Sequence, residues 1–292
     1  MALPAPDLTP PGEHPAHEFL DRIAAELSSG PLNLPCFPDI VPRLRVAIAD
    51  PASTPDDVVR IAGTEPRLAA RLIQTANSTV FNPSGKRLTN LRQAVTRLGH
   101  YLVQSVTMVF SIQQMKAETK LRPVAKPLAG LWEKSVAVAS ICQVLADRLK
   151  VPPDKVFLTG LVHGIGHFYI MVRAAEPSSG VEYGALPADL LAERHPALGR
   201  AVLEKWNFEP VVCDAVDRQT DYGRSSNRAA DITDVLIASI VLAESLLEGN
   251  KDLTRCAGVT AFERLKLGPQ ELEAVLKHTE FRLDSLRATL GC

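Results

Sequence analysis

From residue 40 onward, apolar positions recur every three or four residues almost without interruption. Ile40, Leu44 and Ile48 make one stripe, Leu68, Leu72, Ile73 and Ala76 the next, and Leu91, Val95 and Leu98 a third. Val138, Ile141, Cys142, Leu145 and Leu149 line the face of a long helix, and Ile232, Val235, Leu236, Ser239, Leu242 and Leu246 line another. Leu272, Val275, Leu276, Leu283, Leu286 and Leu290 predict a C-terminal pair of helices. Each spacing is that of one face of an α-helix, and no stretch sustains the two-residue alternation of a strand. The pattern predicts an all-α fold, with no internal repeat at solenoid periods.

Local signals place the boundaries. Thr54-Pro55-Asp56-Asp57 reads as a helix start: a Thr cap, Pro at the first helical position, and acids at the positive end of the dipole. Thr89 is expected to cap the helix that Gly99 ends, and Pro152-Pro153 to stop the helix through Leu149. Nine of the 22 prolines fall in the first 42 residues. Residues 1–15 therefore read as a disordered tail, and 31–42 as a rigid extended entry. Between them 16–30 forms a leading helix, with Leu20, Ile23, Ala24 and Leu27 on one face. Residues 220–230, TDYGRSSNRAA, predict an exposed loop, leaving 223–292 as a C-terminal helical extension.

Composition narrows the function classes. The 32 basic and 33 acidic residues leave a net charge of −1, so no global field draws the chain to nucleic acid or anionic lipid. Cys36, Cys142, Cys213, Cys256 and Cys292 are scattered and never form CxxC, which argues against a disulfide framework or zinc knuckle and suits a reducing compartment. The N-terminus lacks a basic and apolar leader, and stretches such as 235–243 are too short to span a bilayer. The expectation is a cytoplasmic protein without a membrane partner.

Two ordered stretches carry a family resemblance. Residues 34–81 run from Leu-Pro and a second Pro through a helix, Asp-Pro, a second helix and a Pro-led third helix to Ala-Asn-Ser and an aromatic. LRQAVTRLG at 91–99 follows. Then LWEKSVAVASICQVLADRL from Leu131 and FLTGLVHGIGHFYI to Ile170 precede His195-Pro196-Ala197-Leu198-Gly199 and Trp206. Together these resemble the HDOD domain, a relative of the HD and HD-GYP phosphohydrolases, over residues 31–222. The resemblance implies a helical bundle packed on an HD-like bundle, and a role in bacterial signalling.

HD enzymes hold one or two divalent metals on histidines and an aspartate, which acidify a water and clamp phosphate oxygens. On that resemblance the first ligand histidine falls at Lys134, and the His-Asp pair becomes His163-Gly164. The lysine of the family's HDIGK becomes His167, the third histidine has a counterpart in His195, and the late His-His pair falls near Asp217-Arg218-Gln219. His163, His167 and His195 remain as weak metal candidates. His163 and His167 stand at the i, i+4 spacing that can bind zinc on a helix, but no third ligand or general-base glutamate accompanies them. The alternative is that all three are remnants, hydrogen-bonded in or beside the core.

Other polar features have plain structural readings. Asn77-Ser78 suits a helix-terminating hydrogen-bond turn; Gly160, Gly164 and Gly166 suit close helix packing; Trp132 and Trp206 suit core anchors. Lys116, Lys120, Arg122 and Lys126 read as a solvated connector that could also meet an acidic partner or a nucleotide. The expected function is a non-catalytic regulatory module without a cofactor, acting on signalling proteins in trans. Its contact faces would be the polar segments Gln113–Lys126 and Thr220–Arg228. The alternatives are a receptor for a nucleotide second messenger such as a cyclic dinucleotide, and a residual metal-dependent phosphohydrolase.

Overall fold

The computed structural model describes residues 13–30, 40–50, 52–82, 85–116, 118–149, 151–225, 228–249 and 253–290. They form α-helices joined by loops and short 3-10 turns, with no strand among the described residues. The first helix, α1 (Glu13–Ser29), starts slightly before the expected position and buries Phe19, Leu20, Ile23 and Leu27, leaving Ala24 at the edge. Residues 1–12 of the expected tail and 31–39 of the expected entry lie outside the described residues. The entry's last part is not extended, because α2 (Ile40–Ala49) already includes Pro42. A proline in the first helical turn gives up no hydrogen bond, since that N–H has no partner within the helix.

Helix α3 (Pro55–Ala62) begins where the sequence places it, with the Asp57 carboxylate accepting from both the N–H and the hydroxyl of Thr54. Helices α4 (Pro66–Ala76) and α5 (Leu91–Lys116) complete the N-terminal bundle. Asn90, not Thr89, caps α5, its Oδ1 accepting from the N–H of Gln93. Gly99 breaks α5 rather than ending it: at φ 67° and ψ 174° its backbone leaves the helix for one residue, and the helix resumes at once. That φ favours glycine, the residue without a Cβ to clash.

A 3-10 turn at Thr119–Val124 leads into α6 (Ala125–Leu145), the axle of the second bundle. Helices α7 (Pro153–Val162) and α8 (Ile165–Ala174) pack on it, α9 (Ala188–Lys205) packs on α8, and α10 (Pro210–Asp217) packs on α9 and α7. Helix α6 stops earlier than expected: a 3-10 turn, Ala146–Arg148, replaces its last stretch, and Leu149 N–H bonds Ala146 O. Helix α9 runs through Pro196, which the apolar pattern does not reveal.

The C-terminal segment comprises α11 (Ile232–Leu247), the short α12 (Thr260–Arg264) and α13 (Pro269–Leu290), a single helix where a pair was expected. Helices α11 and α13 both pack on α6, and α13 reaches α4. Two helical stretches, Thr119–Arg148 and Pro153–Ala174, are apolar and long enough to cross a bilayer by composition alone. Both bury most of that apolar window inside the fold, as core helices do.

Candidate functional site

Where α6, α7, α8 and α9 converge, the structure brings together Lys134, His163, His167 and His195. His163 and His167 do not share one helix as expected, because the helix breaks between Val162 and Ile165. His163 caps the end of α7, and its Nδ1 lies 2.7 Å from the carbonyl of Gly160. A carbonyl only accepts, so Nδ1 carries the proton there. His167 of α8 stacks on His195 of α9, ring centroids 3.9 Å apart and planes 17° from parallel. Gln219, at the expected His-His position, instead ties helices together: its Nε2 donates to Val216 O at 2.7 Å and His163 O at 3.1 Å. Asp217 beside it pairs with Arg200.

The packing here is tight. A Cβ at Gly166 would lie 1.9 Å from the carbonyl oxygen of His195, so only glycine lets α8 approach α9 this closely. Gly160 plays the same part against Ala139 of α6. At Gly164, where the family's aspartate would stand, a Cβ would meet the Leu131 side chain at 2.7 Å. The space beside it, lined by Leu131, Trp132, Ser135 and Ile165 among others, is about 20 Å³. That is room for about one water, and none of the three histidines lines it.

The electrostatics point the same way. Burial pushes His163 down to about 3, helped by the Lys134 charge against the opposing Gly160 hydrogen bond. It pushes His167 down to about 4 and His195 to about 2, with the Lys134 charge again adding to the effect. All three imidazoles are neutral at neutral pH. Lys134 donates at 2.7 Å to Glu244, a carboxylate from α11, where the first metal ligand would stand. Among the described residues no group of three or more His, Cys, Asp or Glu side chains is placed to hold a metal. A cationic ammonium, two stacked rings and a leucine over the aspartate position do not fit a dinuclear centre.

Sequence reasoning missed Glu244 and Leu131. Glu244 lies 110 residues from Lys134 and outside the motifs, so nothing local announces the pair. Leu131 reads as one more apolar helix position until its contact with Gly164 is seen. Trp132 and Trp206 are core residues as expected, 3% and 6% exposed. Asn77 makes its expected turn bond, Nδ2 to Ile73 O at 2.9 Å, and also clamps Leu88.

The two expected contact segments differ in character. In Gln113–Lys126, Lys120, Arg122 and Lys126 are exposed, while Met115, Leu121 and Val124 are buried. The Lys116 side chain and Ala117 lie outside the described residues. Thr220–Arg228 is not simply exposed, since Arg224 is held by Asp231 and Asp234 of the α11 cap; Ser226 and Asn227 lie outside the described residues.

The family model of the HDOD domain matches residues 34–222. A candidate metal-dependent phosphohydrolase from Shewanella amazonensis SB2B is 24% identical, over 95% of this chain and 99% of its own, with a TM-score of 0.67. An HDOD domain protein of unknown function from Geobacter sulfurreducens is 20% identical, over 94% and 97%, at 0.63. A candidate signal transduction protein from Marinobacter aquaeolei VT8 is 19% identical, over 96% of this chain and 65% of its own, at 0.62. These likenesses bear on the fold. No curated protein matches the chain.

Proposed function

Because the chain belongs to the HDOD family, we propose that it is a regulatory module of bacterial signal transduction that acts by contact with partner proteins and hydrolyses nothing. The observation that carries this reading is the Lys134–Glu244 ion pair, which stands where the family resemblance places a metal ligand, beside a glycine at the aspartate position. The signal transduction label of the Marinobacter relative accords with it. The phosphohydrolase label of the Shewanella relative belongs to that protein, and the residues at the corresponding place here lack the chemistry it needs.

The test is metal analysis of the purified chain, together with turnover assays on cyclic dinucleotides and phosphomonoesters with manganese or iron added. The expected result is no stoichiometric transition metal and no turnover. One metal per chain, with turnover abolished by His163→Ala, would overturn the reading. Charge reversal at Lys120 and Arg122 is expected to leave the melting temperature nearly unchanged, since exposed substitutions cost within about 0.5 kcal/mol.

A further inference from the structure

Away from the histidines, a pocket of about 380 Å³ opens between α2, α3 and α5, where Gly99 breaks the helix. Small-molecule sites span roughly 300–1,000 Å³, so it is large enough for one. Every residue lining it belongs to the described part of the chain. Ala47 and Ile48 come from α2, Val58 from α3, and Val95 and Val103 from either side of the break in α5. All three valines are buried, so their wall is fixed in the core. Gly99 contributes backbone alone, and a Cβ there would meet nothing within 4 Å.

The polar groups are few, and one of them lacks a partner. Ser53 Oγ lines the pocket, is itself buried, and makes no hydrogen bond among the described residues. A hydroxyl held out of water and unpaired is costly, and a bound group that hydrogen-bonds to it removes that penalty. Thr54 is already committed, its hydroxyl donating to Asp57. Thr96 and His100 are exposed at the mouth. No Lys, Arg, Asp or Glu lines the pocket. A phosphate, a nucleotide or a polyvalent ion would give up hydration there without a counter-charge. The aliphatic walls favour an apolar body instead.

The pocket also adjoins the seam between the two bundles. The ring of His100 lies against that of Tyr101, centroids 3.8 Å apart. Tyr101 Oη donates to Glu209 Oε1 at 2.5 Å, and Lys155 Nζ donates to Glu209 Oε2 at 2.7 Å. Lys155 stands in the first turn of α7, and Glu209 immediately precedes α10. These are the helices that end at His163 and just before Gln219.

We propose that this pocket is an input site for a small uncharged molecule with an apolar body and one hydrogen-bonding head. The head meets Ser53, and occupancy passes from His100 through Tyr101 to α7 and α10. The proposal goes beyond the contact reading, since it gives the module something to respond to.

The probes are 1-hexanol and cyclohexanol, with hexanoate and hexylammonium as charged counterparts, titrated into the full chain and followed by backbone-amide NMR. The alcohols are expected to bind at least tenfold more tightly than either ion, shifting amides at 47–58 and 95–103 and also at 154–156 and 209–212. Ser53→Ala deletes an unpaired hydroxyl and is expected to weaken both alcohols about tenfold at an unchanged melting temperature. Thr96→Phe places a large side chain at the mouth from an exposed position and is expected to abolish binding. If Thr96→Phe fails to fold, Ser53→Ala still decides. Tyr101→Phe is expected to keep the binding and lose the shifts at 154–156 and 209–212. Equal binding of ions and alcohols, no shift at 47–58 up to the solubility of the alcohols, or titrations untouched by Ser53→Ala overturn the pocket. Shifts that stop at 103, or that reach 209–212 unchanged in Tyr101→Phe, overturn the input role. Metal-dependent turnover would remove the contact reading and leave the pocket to be decided by these titrations.

Discussion

Asp234 is the residue whose loss should cost the C-terminal segment most. It is fully buried at the start of α11, and its Oδ1 accepts from Arg224 at 3.0 Å and Arg264 at 2.9 Å. Its Oδ2 accepts from the N–H of Asp231 at 2.8 Å. Arg264 also donates to the carbonyls of Arg228 and Ala229, so one carboxylate ties the loop before α11 to α12. Asp234→Ala leaves two guanidiniums, 9% and 14% exposed, facing an apolar methyl. Removing one partner of a buried ion pair costs about 3–5 kcal/mol. Arg224 keeps its bidentate contact with Asp231 at 2.7 and 3.0 Å, which favours the lower end, about 3 kcal/mol. For a chain of this size that is a fall in melting temperature of roughly 6–12 °C. Asp234→Asn keeps an acceptor oxygen and loses the charge, so about half the effect is expected. Urea unfolding followed by circular dichroism measures both, with Asp57→Ala as the comparison, since Asp57 serves the α3 start at the surface. If Asp234→Ala and Asp57→Ala prove equally mild, the buried network does not hold the segment and the reasoning fails.

Three further outcomes follow from the packing and the neutral histidines. In the fold the pKa values of His163, His167 and His195 lie below the unfolded value near 6.5, so the unfolded chain binds more protons and stability falls as pH drops below about 6.5. At pH 5 the loss is about 2 kcal/mol per histidine if each acts alone; urea unfolding at pH 7, 6 and 5 checks this, and an unchanged slope in His195→Gln would contradict it. Gly166→Ala should cost well over about 2 kcal/mol, because its methyl would strike backbone rather than a flexible side chain, and a native-like melting temperature would refute that account. Gly130→Ala, with nothing within 4 Å of its added methyl in mid-α6, should instead stabilise by about 0.5–1 kcal/mol in the same melt.

What the sequence revealed and what it hid divide along the range of the forces involved. The α3 start was legible because Thr54, Pro55 and Asp57 settle it among themselves. Burial along α11 was legible because periodicity records it. The single α13 was not, since Lys277, His278 and Glu280 interrupt the stripe, while Thr279 between them is buried, its hydroxyl satisfied by Val275 O at 2.8 Å. The extended reading of 31–42 rested on proline density, whereas a first-turn position makes Pro42 harmless to α2. At the site, the residues that replace the family's ligands could be read one by one. What they do there could not, because the Lys134–Glu244 pair, the His167–His195 stack and the Leu131 contact all cross between helices far apart in the chain.

The Leu131 side chain over Gly164 also bears on the order in which substitutions could be made at this place. An aspartate at 164 alone would begin with its Cβ 2.7 Å from a Leu131 methyl carbon, so that flexible side chain would have to turn aside first. The other order, a smaller residue at 131, gives up the packing of a half-buried leucine before any ligand exists to use the space. Neither single step is rewarded before the other is taken, and Lys134 would still have to leave Glu244.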